Sequence, residues 1–329
     1  MKFPFSHGRL EVRIGTCCRL YGRNQARDRN TIITALCSTI VQGSRISRWC
    51  VNALPGAGRV AGEAIITHKD IAKVAFTGST AVGQNVMQKA SNDIKSVTLE
   101  LGGKSPSIIF EDANLEEAIE GSFDGTMYNH GQNCSACTRL YVHRSHYDEV
   151  VEKIAERAKA VKLGLGMDAE TEMGPLISAK QQQTVLEYIE KGKAEGARLV
   201  AGGNKAFDKG FFVEPTVFAD VEDDMTIARK EIFGPVISIF PFDNEEEVIR
   251  RANDSEYGLA ASVWTENIRK GHRVSGKLQA GTVWINDFGL ELETMPFGGY
   301  KKSGVGRKMG GEYGLSNYTE VKSVLVKIK

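Results

Sequence analysis

The sequence predicts an α/β protein built on open parallel sheets in two domains. Three observations carry this prediction. Helical and strand spacing of apolar residues alternate along most of the chain, 329 residues suffice for two cores, and 41% hydrophobic with 25% charged residues is ordinary folded composition.

The elements follow in order. Residues 71–79 read as a short buried strand running into a turn, and residues 80–90 as a helix with Val82, Val86 and Met87 on one face. Gly78 and Gly83 let amides at that helix start approach a phosphate, which the helix N-terminus favours; a plain strand-to-helix turn fits the same residues. Residues 97–101 alternate as a strand, and Gly102-Gly103 marks the turn after it. Residues 114–128 are helical with an Asp112 or Asn114 cap, 140–143 a strand and 147–161 an amphipathic helix. Residues 181–196 repeat the helical pattern; 236–242, 260–264 and 282–286 read as strands, and 321–328 form a last apolar alternation.

Bulk properties remove several function classes. The net charge of +1 gives no footprint for nucleic acid or an acidic membrane surface. No apolar run approaches a membrane span of about 20 residues, and the N-terminus lacks a signal-type apolar core, so a cytoplasmic protein is the expectation. Six cysteines in a chain of this size do not make a disulfide scaffold.

Two residues carry chemistry. Cys134 lies in Gly131-Gln132-Asn133-Cys134-Ser135-Ala136-Cys137-Thr138-Arg139, near the expected N-terminal end of an element where a thiolate is favoured. Glu100 lies 34 residues upstream in Leu99-Glu100-Leu101-Gly102-Gly103-Lys104, among apolar neighbours where a raised pKa suits a general base. A thiolate adds to a carbonyl carbon, and a carboxylate draws a proton from the water that releases the acyl group. The plainer readings are an inert buried cysteine and a glutamate at a strand end. The spacing of Cys134 and Cys137 also spells a redox pair or half a zinc site, but no second ligand pair accompanies it.

Both blocks, their order and their separation resemble the NAD(P)-dependent aldehyde dehydrogenase superfamily. So do Val74-Ala75-Phe76-Thr77-Gly78-Ser79 with Gly83, Glu231-Ile232-Phe233-Gly234-Pro235, and Pro296-Phe297-Gly298-Gly299 with Ser303-Gly304-Val305-Gly306-Arg307. The resemblance runs from Val51 to the C-terminus. It implies an open parallel-sheet dinucleotide-binding domain (residues 1–102, incomplete), an α/β catalytic domain (103–296) and a C-terminal return with an oligomerisation strand (297–329). It further implies Cys134 as nucleophile and Glu100 as base, with Gly78, Ser79, Gly83, Glu231 and Phe233 on the cofactor. The cofactor is expected to be NAD, with NADP open. The partners implied are a small aldehyde and further copies of the chain, with no nucleic acid, membrane or metal. The presence of Glu100 favours water over coenzyme A as acyl acceptor. Residues 287–295, with Glu291 and Glu293, fall where the family's substrate loop lies, and Lys308 stands where the family often has glutamate.

The first fifty residues are anomalous. They hold Arg9, Arg13, Arg19, Arg23, Arg27, Arg29, Arg45 and Arg48 but only Lys2 among lysines, with Cys17, Cys18, Cys37 and Cys50. A basic arm for an acidic partner is one reading. The other is translation out of frame over residues 10–50. Codons that encode Gly43 to Cys50 read one nucleotide forward as Glu-Ala-Gly-Phe-Pro-Asp-Gly-Val, which is similar to what the family carries before Val51, and Gln25-Ala26 permits Lys-Pro. Met1-Lys2-Phe3-Pro4-Phe5 resembles the family's Trp-Asn-Phe-Pro-Phe with Lys2 in place of an oxyanion-holding asparagine. The family continues upstream of this point, so the chain reads as a fragment of low activity. The alternative function is association with an intact subunit through the last strand.

Overall fold

The computed structural model describes residues 54, 56–290 and 292–328. The expectations for the first fifty residues, and for Glu291, lie outside the described residues. The chain divides into two units, one of Met1–Glu100, Glu291–Gly298 and Val305–Lys329, the other of Leu101–Leu290 and Gly299–Gly304.

In the first unit, α1 (Glu63–Thr67) precedes β1 (Lys73–Thr77), α2 (Thr80–Ala90) and β2 (Ser96–Glu100). The strands pair in parallel, from Lys73 opposite Ser96 to Thr77 opposite Glu100, and α2 is the crossover between them. The buried face of α2 is Gly83, Val86 and Ala90, not the expected Val82, Val86 and Met87. Small residues at i, i+3 and i+7 let the helix lie close, while Val82 and Met87 flank that row and stay 45% and 46% exposed. The strand expected over residues 321–328 does not form within this chain. Among the described residues no strand bonds its backbone, and Val321, Leu325 and Ile328 stay exposed.

The second unit is built on one seven-stranded sheet. Its elements are β3 (Pro106–Ile109), α3 (Leu115–Met127), β4 (Arg139–His143), α4 (Tyr147–Ala160), α5 (Ala179–Ala194), β5 (Arg198–Ala201), β6 (Thr216–Ala219), α6 (Thr226–Arg229), β7 (Val236–Phe242), α7 (Glu245–Asn253), β8 (Tyr257–Gly258), β9 (Ala260–Trp264), α8 (Ile268–Ser275) and β10 (Thr282–Ile285). The strand order is β10-β9-β3-β4-β7-β6-β5, parallel throughout except for the antiparallel edge pair β5 and β6. Both faces are covered. Ile108, Tyr141, Phe240 and Val263 pack on one side with Val185, Ile189, Val248 and Val274 of the helices. Ile109, Leu140, Ile239 and Trp264 pack on the other with Phe123, Val150 and Ile154. Adjacent residues such as Ile108 and Ile109 thus serve opposite cores, which is why the buried strands read as continuous apolar runs. Asn114 caps α3 as expected, its side chain accepting from Glu117 N at 3.4 Å. Among the described residues no helix is long and apolar enough to cross a membrane.

Candidate active site

Cys134 stands in a turn between α3 and β4, partly exposed, whereas Cys137 is 1% exposed. No helix starts at Cys134, contrary to the expectation of an element's N-terminal end there. The chain reaches it through three successive left-handed residues, Asn129, His130 and Gly131, with φ of 51°, 62° and 69°. Such a run persists only where its surroundings over-determine it. Here Asn129 Nδ2 donates to Gln132 O at 2.9 Å, Gln132 N returns a bond to Asn129 O at 3.0 Å, and Ile177 N donates to Gln132 Oε1 at 3.0 Å. Beyond the turn, Cys137 N donates to Gly125 O at 3.4 Å and Thr126 Oγ1 to Cys137 O at 2.7 Å, fastening the loop to the end of α3. Burial pushes the Cys137 thiol well above its ordinary pKa, and its Sγ lies 3.6 Å from Pro106 O, so it remains a protonated core residue.

Three motifs of the sequence meet here for a topological reason. Gly102-Gly103 leads into β3, the Cys134 loop into β4 and Glu231–Pro235 into β7, and those three strands are neighbours. Parallel strands about 4.8 Å apart bring their entering loops together. The gathering is at the amino ends of the strands, whereas open α/β sheets usually place ligands at the carboxyl ends. The glycine pair is the contact. A Cβ on Gly102 would fall 2.8 Å from Glu231 Cδ, and one on Gly103 would run into the Cys134 carbonyl oxygen with Leu259 Cβ at 3.3 Å behind it. Only bare α-carbons let the Cys134 backbone and the Glu231 carboxylate approach the same dipeptide.

Glu231 Oε1 accepts from Gly103 N at 3.1 Å. Burial pushes its carboxyl up to about 7, against the opposing effects of that hydrogen bond and of Lys104. The following residue but one, Phe233, has a left-handed φ of 56°. Gln181 of α5 fixes this turn, its Nε2 donating to Ile232 O at 3.1 Å and Phe233 O at 2.9 Å. Residues 287–290 of the expected substrate loop lie on α3. The Phe288 ring covers Gly125, the residue whose carbonyl holds the Cys134 loop, and Ser262 Oγ donates to Asp287 O at 2.7 Å.

The first unit gathers the remaining site residues at the carboxyl ends of its two strands. Glu100 ends β2, is 4% exposed, and its carbonyl accepts from Gly78 N at 3.0 Å. Ser79 is the N-cap residue of α2, and Gly83 is buried in its first turn, donating to Ser79 O at 3.0 Å. The Thr80 hydroxyl at this helix start is buried without a hydrogen-bond partner among the described residues. A helix N-terminus with an orphaned hydroxyl beside a glycine turn fits an anionic group such as a dinucleotide phosphate.

Sequence reasoning passed over Gln181, Gln132 and Lys104. The first two act through bonds to residues far along the chain, which leave no local pattern. Lys104 stood inside a quoted block, but nothing in the sequence marks a lysine as 2% exposed.

Comparison with known proteins gives the family. The sequence model of the aldehyde dehydrogenase family matches residues 26–324. A betaine aldehyde dehydrogenase of Brucella melitensis is 51% identical over 281 residues, 84% of this chain and 57% of its own length. An NAD+ complex of aldehyde dehydrogenase from Bacillus cereus superposes with a TM-score of 0.88 at 60% identity, over 91% of this chain and 60% of that one. The NAD+ complex of Staphylococcus aureus betaine aldehyde dehydrogenase gives 0.84 at 40% identity, over 88% and 57%. The chain thus spans under two thirds of the length of these relatives. Within the part it spans, sequence and fold agree with these relatives, and the chain belongs to the aldehyde dehydrogenase family.

Proposed function

We propose that the protein to which this chain corresponds oxidises an aldehyde to a carboxylic acid with NAD(P)+, with Cys134 as nucleophile and Glu100 as general base. The observation that carries this reading is the glycine pair, which seats the Cys134 backbone and the Glu231 carboxylate against one dipeptide. Gly78, Ser79 and Gly83 would hold the cofactor's phosphates at the start of α2, with Glu231 on the nicotinamide ribose and Phe233 beside the nicotinamide; bound there, the cofactor supplies the hydride acceptor. NAD is favoured because the structures matched above are NAD+ complexes.

In this reading the Cys134 thiolate adds to the aldehyde carbon and forms a thiohemiacetal, its oxyanion facing the Cys134 N–H. Once the carbon is oxidised, a thioester remains on Cys134. Glu100 takes a proton from water as the water oxygen attacks the thioester carbon; the C–S bond breaks and the acid leaves. The chain as given carries Lys2 where the resemblance expects an oxyanion-holding asparagine, and loss of one such donor costs about 10²–10³ in rate, so weak turnover is expected of it.

The test is a pair of variants in the full product of the gene, with a simple aldehyde, NAD+ and NADH absorbance. Cys134→Ser abolishes NADH formation. Glu100→Gln retains a burst of one NADH per site and slows the steady state, because hydride transfer precedes hydrolysis. Steady turnover at the parent rate in either variant refutes the assignment.

A further inference from the structure

Lys104 follows the glycine pair and leads into β3. Its ammonium nitrogen is buried and makes no hydrogen bond among the described residues, and the same holds for the hydroxyl of Ser105. Both residues line a cavity at the amino ends of β3, β4 and β9, together with Arg139, Tyr257 and Gln279. Packing alone does not call for this lysine. A buried ammonium without a partner carries a desolvation penalty of several kcal/mol, and a methionine would fill a similar volume without it.

Among the described residues two charged groups act on it. Arg139, on β4, directs its guanidinium to neutral acceptors, with Lys104 O at 2.7 Å, Tyr141 Oη at 3.2 Å and Ala252 O, at the C-terminal end of α7, at 2.9 Å. Helix C-termini favour a cation there, so Arg139 is satisfied without a carboxylate, and it repels Lys104. Glu231 is the acid whose charge attracts Lys104, and Lys104 in turn favours the ionised form of Glu231.

Glu231 Oε1 accepts from Gly103 N at 3.1 Å, one residue before the buried Lys104 ammonium. We propose that Lys104 is a positioning residue for Glu231: its buried charge favours the ionised, accepting form of that carboxyl, for the Gly103 N–H now and for a hydroxyl of the cofactor in the reaction. The last clause rests on the cofactor reading of Glu231 given above; the electrostatic coupling does not. A protonated carboxyl would present a donor in place of one acceptor site and change what the turn can hold. Burial brings Lys104 down to about 7 and Glu231 up to about 7, so the pair passes through its change of charge close to neutrality. The coupling is reciprocal, so each partner reports on the other.

The experiment is carboxyl-13C glutamate and ε-13C lysine labelling of the 329-residue chain, followed by NMR titration. The Glu231 signal is assigned by its loss in Glu231→Gln and the Lys104 signal by its loss in Lys104→Arg. In Lys104→Met the Glu231 carboxyl titrates at higher pH than in the parent, and Lys104→Arg restores a midpoint at or below the parent's. Should Lys104→Met fail to fold, Glu231→Gln gives the reciprocal reading, a Lys104 midpoint moved to lower pH. An unmoved midpoint in the folded variant overturns the proposal, because a lysine that merely fills space leaves the Glu231 titration where it was. NAD+ added to the same samples separates the two readings. A Glu231 signal indifferent to NAD+ with the coupling intact defeats the cofactor role and leaves the electrostatic one standing.

Discussion

Adding one methyl to each of the two site glycines should have unequal effects, and the inequality follows from what each methyl meets. In Gly103→Ala the Cβ runs into the carbonyl oxygen of Cys134, with Leu259 Cβ 3.3 Å away on the other side, so it has no free direction. Carbon contacts are optimal near 3.5–4.0 Å, so the Cys134 backbone must move by about 1 Å. Overpacking of a dense interior costs about 1–3 kcal/mol, and a clash with backbone belongs at the upper end. In Gly102→Ala the methyl meets the end of the Glu231 side chain, which can swing aside, forfeiting its 3.1 Å bond to Gly103 N. That loss is worth about 1 kcal/mol. Urea unfolding of the parent and both variants measures the difference. With a slope of about 3 kcal/mol per molar, Gly103→Ala lowers the midpoint by about 1 M and Gly102→Ala by about a third of that. Native-state alkylation of Cys134 should change several-fold in Gly103→Ala and little in Gly102→Ala. Equal midpoints, or a larger loss in Gly102→Ala, refute the placement of the Cys134 carbonyl against Gly103.

Three further outcomes are expected. Iodoacetamide at pH 8 under native conditions, followed by peptide mass mapping, labels Cys134 and leaves Cys137 unmodified, because burial holds the Cys137 thiol protonated and screens it from reagent. Arg139→Met strands carbonyl acceptors at the end of α7 and lowers unfolding stability by about 3 kcal/mol, and Arg139→Lys does not restore it, since an ammonium cannot reproduce the guanidinium fork. Lys104→Met stabilises the chain more at pH 6 than at pH 10. The folded-state pKa, about 7, lies below the ordinary 10.5 of a lysine, so the unfolded chain binds this proton more tightly; the penalty is full below about pH 7 and fades as pH rises toward 10.5. Replacement of buried ions by apolar residues usually returns about 1–4 kcal/mol. Urea midpoints of parent and variant at the two pH values check the sign.

Local pattern by itself determined the α/β class and several elements. The helix at 80–90, the Asn114-capped helix and the strand at 236–242 stand where periodicity and capping placed them. Residue type and motif pointed to Cys134 and Glu100, and the family resemblance to Glu231, as candidates, because a side chain proposed for chemistry must be of one particular type. Tertiary structure decided the rest. Pro106–Ile109 carries no alternation because both its faces are buried, and the apolar row of α2 runs through Gly83 and Ala90, which a reading by hydrophobicity passes over. The fate of Lys104 depended on which strands are neighbours. Sequence records what each residue can do, but burial and charge interactions act across β3, β4 and β7, and Gly103 meets Cys134 and Glu231 from 31 and 128 positions away. Those separations vanish only when parallel strands bring their entering loops side by side.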